Sequence, residues 1–226
     1  MNKKFNNLKK VWNNYGKNEA YWSVLTGDDY KPNLIKNNFE KFYKTGEKAI
    51  KNFENILQKH NETLKDKIIL DFGCGVGRLT KACTFYSTNV YGMDISEEHL
   101  KIARSNVKSA KFYIVNNLNN LPKLPKNPEI IISLIVLQHN EPIFIKRYLI
   151  QLLSLLKNEG IALIHIPYKI SSSLVNSPDK MQMHFLPKNV VRDITYKSNC
   201  IVLEEIDSND GDTVFNTIYV IKKNNK

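Results

Sequence analysis

Apolar residues along this chain repeat with two different periods, and the change falls near residue 62. Before it, Phe5, Leu8, Val11, Trp12 and Tyr15 recur at helical spacing, and Leu34, Ile35, Phe39, Phe42 and Tyr43 do so again. Ala49, Ile50, Phe53, Ile56 and Leu57 mark a third helix, ending near His60-Asn61. Residues 1–62 show no strand pattern. Beyond them, short aliphatic and β-branched runs alternate with amphipathic stretches. Lys67–Leu70, Asn89–Met93, Phe112–Val115, Ile130–Leu134, Ile161–Ile166, Ile201–Ile206 and Val214–Ile221 read as strands. Leu79–Tyr86, Glu97–Lys108, Ile143–Lys157 and Leu186–Ser198 read as helices. Ser96 is placed to cap the second of these, Pro142 stands near the start of the third, and Asn158-Glu159-Gly160 stops it. Pro167-Tyr168 is expected to end the fifth strand. Ser171 to His184 reads as a polar connector, and Ser208–Asp212 as a hairpin loop.

The first strand ends on Asp71 and breaks into Phe72-Gly73-Cys74-Gly75-Val76-Gly77-Arg78. Glycines at alternate positions suit a turn that needs positive φ and close backbone approach to a bound group. The turn lies between a strand and a helix, where open α/β sheets bind nucleotide-like ligands. The next strand ends on Asp94, 23 residues after Asp71, an acid placed to accept from both hydroxyls of a ribose. Dinucleotide enzymes show G-x-G-x-x-G facing a pyrophosphate. Here an acid precedes a tighter glycine spacing, and that acid would repel pyrophosphate and attract an ammonium group.

Composition narrows the partners. At 226 residues the chain is long enough for one domain with an elaborated end, and 42% hydrophobic with 24% charged residues is the balance of a globular protein. No apolar run approaches the ~20 residues of a membrane helix. The N-terminal Met-Asn-Lys-Lys-Phe-Asn-Asn lacks the apolar core of a signal peptide, so a cytoplasmic location is expected. Cys74, Cys83 and Cys200 have no metal-ligand spacing and read as free thiols. The net charge of +11 is spread over every segment without an Arg-rich stripe. It reads as a solvated surface; attraction to phosphorylated small molecules, anionic lipid or RNA is the other reading.

Asp71–Gly77 resembles the first motif of the class I S-adenosyl-L-methionine (SAM) methyltransferases, and Val90–Ile95 resembles their second. The resemblance continues through Glu129–His139 and Leu152–Ile166 and so covers most of residues 65–222. It implies an α/β fold: a Rossmann-like seven-stranded, mostly parallel sheet with an antiparallel C-terminal hairpin. An N-terminal helical cap or lid (1–62) would precede the SAM-binding domain (63–226). Asp71, Gly73, Cys74, Gly75, Gly77, Asp94, Ile95 and Asn117 would then hold SAM. Asn117 stands where the family usually has an Asp for the adenine amino group, and its carbonyl can still accept from that group. Glu129 likewise replaces an Asp at the start of the fourth strand. Residues 1–62 look like the N-terminal extension of bacterial methyltransferases associated with sugars. Their aromatics serve either as core or as a lid in which Tyr21 and Trp22 line the cleft.

Methyl transfer from a sulfonium mostly needs alignment, and a hydroxyl acceptor also benefits from a general base. Histidine suits that task. His139, just past the fourth strand, and His184, in the polar segment, are the catalytic candidates, with a structural or cofactor-contact role as the alternative for His139. His165 reads as a satisfied histidine in the sheet, and His60 and His99 lie in helices away from strand ends. Tyr168 is a substrate-contact candidate. The fourth strand lacks the Asn/Asp-Pro-Pro-Tyr/Phe motif of DNA-base methylation, and no cysteine follows a proline as cytosine-carbon methylation requires. Asn140-Glu141 alone is too little for a metal, so no metal is expected. The expected activity is O-methylation of a small-molecule acceptor such as a sugar or nucleotide-sugar of surface-polysaccharide synthesis. The alternatives are an RNA or protein methyltransferase, or a SAM-binding regulatory subunit without turnover.

Overall fold

The computed structural model describes residues 2–171, 181–211 and 213–225. The chain forms two compact units, Met1–Leu124 and Pro125–Lys226. Seven strands make one mixed sheet in the order β3-β2-β1-β4-β5-β7-β6, the expected Rossmann-like arrangement.

In the first unit, α1 (Asn2–Asn18) and α2 (Ile35–Lys59) precede β1 (Ile69–Phe72), α3 (Arg78–Cys83), β2 (Val90–Asp94), α4 (Glu97–Asn106) and β3 (Lys111–Ile114). β2 pairs in parallel with β1, Ile69 opposite Val90, and with β3, Tyr91 opposite Lys111. β1 and β2 are buried along their whole length, as their unbroken apolar runs require. Where the periodicity suggests two helices over 34–57, α2 is continuous through Gly46. A β-carbon on Gly46 would lie 2.3 Å from the Arg78 carbonyl oxygen, so the glycine lets α2 press against α3. At the far end of α2, the Glu54 carboxylate accepts from Thr63 Oγ1 (2.6 Å) and Leu64 N (2.7 Å) and fixes the turn toward β1. Ser96 caps α4 as expected, accepting from His99 N. Its hydroxyl also reaches the Trp12 carbonyl at 3.1 Å, which seats α1 against α4.

The second unit holds β4 (Ile130–Ser133), α5 (Pro142–Leu155), β5 (Ile161–Ile170), α6 (Lys188–Lys197), β6 (Cys200–Asp210) and β7 (Val214–Lys223). β4 and β5 run parallel, and β7 is antiparallel to both β5 and β6. Contrary to expectation, β5 does not end at Pro167. Its pairing with β4 stops at Ile164, and its outer half continues on β7 alone with an irregularity between Pro167 and Lys169. Proline, which has no N–H to donate, is tolerated at such a place. β6 likewise runs to Asp210, so Ser208–Asp210 belong to a strand, and Gly211 (φ 58°) follows it in a turn. Asp212 of the expected loop, and residues 172–180 of the expected connector, lie outside the described residues. Lys223 Nζ donates to the carbonyls of Leu153, Ser154 and Leu156, closing the C-terminal turn of α5.

Candidate active site

The turn after β1 takes positive φ at Gly73 (76°), Gly75 (53°) and Gly77 (86°). It is fastened to the end of β2: Gly73 N and Cys74 N both donate to the Met93 carbonyl, at 2.7 and 3.0 Å. Gly75 N donates to Asp94 Oδ2 and Ser96 N to Asp94 Oδ1, each at 2.8 Å. A carboxylate has about four acceptor positions, so two remain for a ligand. Ile95, partly exposed, follows Asp94. The space beside Gly75 is used by the protein itself: a β-carbon there would stand 2.5 Å from Val24 Cγ2. The segment before α2 therefore rests on the glycine turn.

Asp71 lies beneath this turn, 1% exposed, with Oδ2 accepting from the Thr80 hydroxyl at 2.6 Å. Burial raises its pKa to about 6. The Cys74 thiol is buried too, and burial pushes its pKa well up, so it is not a thiolate.

At the end of β3, Asn117 Oδ1 accepts from Asn119 N at 2.8 Å, which folds the chain back on itself. A cavity of about 220 Å³ opens here, lined by Phe5, Asn6, Asn116, Asn117, Leu118 and Asn119. The Lys9 ammonium binds Asn116 Oδ1. The contribution of α1 to this cavity was hidden in the sequence, where Phe5 reads only as one member of a helix face. Tyr21 sits in an aromatic group with Phe39 and Phe42, and its hydroxyl accepts from Asn106 Nδ2 at 3.0 Å, a packing position next to the buried Tyr43–Val76 cluster. Trp22 is partly exposed, its ring 6.5 Å from that of Tyr15. His99 is buried between Trp12 and Ser23, with Nε2 2.9 Å from Ser23 Oγ, and holds the N-terminal segment against α4.

In the second unit, His139 ends a 3-10 turn, Leu137–His139, that follows β4. Its Nδ1 lies 3.3 Å from the Gln182 carbonyl, which only accepts, so Nδ1 carries the proton and Nε2 is the basic nitrogen. Gln138 Nε2 stands 3.2 Å from that nitrogen. His184 N donates to the Gln138 carbonyl at 2.6 Å and Leu186 N to the Pro167 carbonyl at 2.9 Å, so the chain from 184 to 186 bridges the 3-10 turn and β5. Burial lowers the pKa of His139 to about 4 and that of His165 to about 4, and it lowers His184 as well. All three imidazoles are neutral at physiological pH. Tyr168 stacks between Phe215, 6.1 Å away, and the Lys188 ammonium, 4.5 Å from its ring. Among the described residues no group of three or more His, Cys, Asp or Glu side chains is placed to share a metal ion. Among them, too, no helix is long and apolar enough to cross a membrane.

Residues 69–160 match the family described as "Methyltransferase domain". No curated protein matches the sequence. Among solved structures, the chain is similar to the magnesium protoporphyrin IX methyltransferase of Synechocystis PCC 6803 with bound SAH. That likeness has a TM-score of 0.69 at 18% identity and covers 96% of this chain and 99% of that one. It is similar to a S-adenosylmethionine-dependent methyltransferase from Clostridium acetobutylicum ATCC 824 (TM-score 0.62, 18% identity, 84% and 100% covered). A third likeness is to SAM-bound CalS10, an amino pentose methyltransferase from Micromonospora echinaspora (TM-score 0.60, 9% identity, 79% and 91% covered). The residues of the first unit fit SAM chemically. Asp94 has acceptor positions to spare for ribose hydroxyls, and the amide-lined cavity offers both donors and acceptors to a purine.

Proposed function

We propose that the chain is a class I SAM-dependent methyltransferase and that it methylates a hydroxyl on a small molecule such as a sugar or nucleotide-sugar. The observation that carries the hydroxyl reading is the state of His139: neutral, with its proton fixed on Nδ1 by the Gln182 carbonyl. SAM supplies a methyl group on a sulfonium, whose departure as a neutral thioether drives the transfer. Asp94 accepts from the ribose hydroxyls, and Asn117 and its neighbours receive the adenine. His139 Nε2 takes the acceptor's proton, displacing the Gln138 amide that faces it, and the Gln182 carbonyl stabilises the imidazolium that results. Residues 1–62 act as a cap, with Tyr21 fixing its packing, Trp22 at its surface, and His184 and Tyr168 flanking the acceptor. The sugar reading itself rests on the resemblance of the N-terminal extension.

The test is transfer of label from methyl-tritiated SAM to a panel of sugars and nucleotide-sugars, with tRNA and protein in parallel. Label in a small-molecule ether is the expected result. Label only in RNA or protein would replace this reading. SAM binding without transfer to any of them would favour a regulatory subunit.

A further inference from the structure

Residues 1–124 hold 21 Lys and Arg against 12 Asp and Glu, so most of the net charge of +11 belongs to the first unit. Within it, α1 has five lysines and no acidic residue in 17 positions. Folding sorts that helix into two sides. Phe5 and Gly16 are buried and Trp12 is partly so, toward the turn after β3 and His99, and Lys9 is engaged with Asn116. Lys3, Asn7, Lys10, Asn14 and Lys17 are all exposed. Seven residues return to the same bearing on a helix within about 20°. Lys3, Lys10 and Lys17 therefore form a straight column, one lysine every ~10.5 Å over ~21 Å, with Asn7 and Asn14 beside it. Lysines of neighbouring helices meet acids: Lys44 Nζ lies 2.7 Å from Glu40 on α2, and Lys101 Nζ 2.7 Å from Glu98 on α4. The three lysines of the column have no ion pair among the described residues.

The column does not serve the helix. Lys3 stands in the first turn, at the positive end of the macrodipole, and like charges about a Debye length apart repel with no carboxylate between them. Cations held at a fixed spacing are matched by a row of anions. The exposed side carries one large apolar side chain, Val11, so it has nothing to sink into a bilayer and no aromatic anchor for a protein partner. A single phosphate would meet one lysine. A nucleic-acid duplex offers one negative charge per ~1.7 Å of axis along the whole column, and asparagine amides donate to phosphate and sugar oxygens. We infer that the exposed side of α1 binds the phosphate backbone of a nucleic-acid duplex, RNA or DNA, through Lys3, Lys10 and Lys17. The bond from the Ser96 hydroxyl to the Trp12 carbonyl seats α1 beforehand, so the column is in place before its ligand arrives. None of the three lysines lines the cavity beside Asn117, and the inference does not depend on the proposed methyl transfer.

Fluorescence anisotropy of labelled RNA and DNA duplexes, titrated with the full chain at several salt concentrations, tests it. Three phosphate contacts give log affinity against log salt a slope of about −3, a loss of about 40-fold between about 50 and about 200 mM. The triple variant Lys3→Gln, Lys10→Gln, Lys17→Gln should reduce the steepness of the wild-type slope by about 3. The triple variant Lys44→Gln, Lys48→Gln, Lys51→Gln on α2 removes the same charge and should leave the slope within about 0.5 of the wild type. All six lysines are exposed, and glutamine matches lysine in helix propensity, so both variants should melt with the wild type. Binding to either duplex that depends on the column supports the inference and identifies the nucleic acid. No binding to either duplex, an equal loss in the two variants, or binding confined to vesicles of phosphatidylserine and phosphatidylcholine would overturn it.

Discussion

Gly75 gives its backbone N–H to Asp94 Oδ2 at 2.8 Å, so the acid proposed to receive the ribose also fastens the glycine turn. Asp94→Ala should therefore act twice. Affinity for S-adenosylhomocysteine should fall by about 1.5–3 kcal/mol, and the melting temperature should drop because Gly75 and Ser96 lose a buried acceptor. Unchanged affinity by calorimetry in a folded variant would remove Asp94 from the ribose.

Gly75→Ala should destabilise the chain by about 1–3 kcal/mol, because its β-carbon meets Val24 and its φ is 53°. Adding Val24→Ala removes the steric part and leaves the conformational part. Melting curves of the two single variants and the double variant should show a smaller loss in the double than the sum of the singles. Strict additivity would mean that Val24 does not rest on Gly75.

Gly46→Ala sets two effects against each other. Alanine favours a helix interior by about 1 kcal/mol over glycine. The new β-carbon would stand 2.3 Å from the Arg78 carbonyl, a backbone atom that cannot swing aside. Overpacking of that kind costs about 1–3 kcal/mol, so the net effect should be a lower melting temperature. A higher one would show that α2 and α3 can separate at no cost.

The histidines give a pH signature with a definite sign. In the unfolded chain they titrate near 6.5, while in the fold His139 and His165 are held to about 4 by burial. Between those values the unfolded chain binds protons that the folded chain does not, so stability should fall as pH drops from about 6.5 to about 4. His165→Gln should flatten that slope in a series of thermal melts. An unaltered slope would mean that other groups govern acid unfolding.

If His139 Nε2 takes the acceptor proton, His139→Ala should lower turnover by ~10²–10⁴ and keep SAM affinity within a few-fold. The acid limb of the wild-type rate, read from initial velocities, should lie well below pH 6.5, since the imidazole protonates only near about 4. Near-normal turnover at saturating SAM would pass the role to His184.

Much of this was readable because periodicity and turn chemistry act locally. Asp71, the glycine turn, Asp94 and the Ser96 cap come from neighbouring residues, and each stands where the pattern put it. What could not be read depends on distant partners. Gly46 looks like a break until α3 is laid against it. Pro167 looks like a strand end until β7 supplies the pairing that β4 does not. His99, discounted as a helix residue, becomes the latch of Ser23, 76 positions away. Tyr21 is an aromatic of undetermined purpose until Phe39, Phe42 and Asn106 surround it.

The seating of α1 also imposes a schedule on synthesis. Lys9 finds Asn116 107 positions later, and the Trp12 carbonyl meets Ser96 after 84. At the ~5–20 residues per second of translation, the first helix waits on the order of 5–20 s for its seat. Until then Phe5, which ends 4% exposed, lacks residues 116–119, with which it lines a cavity. The asparagine-lined cavity, which joins Phe5 and Asn6 to residues 116–119, therefore closes only after the strands of the first unit have been made.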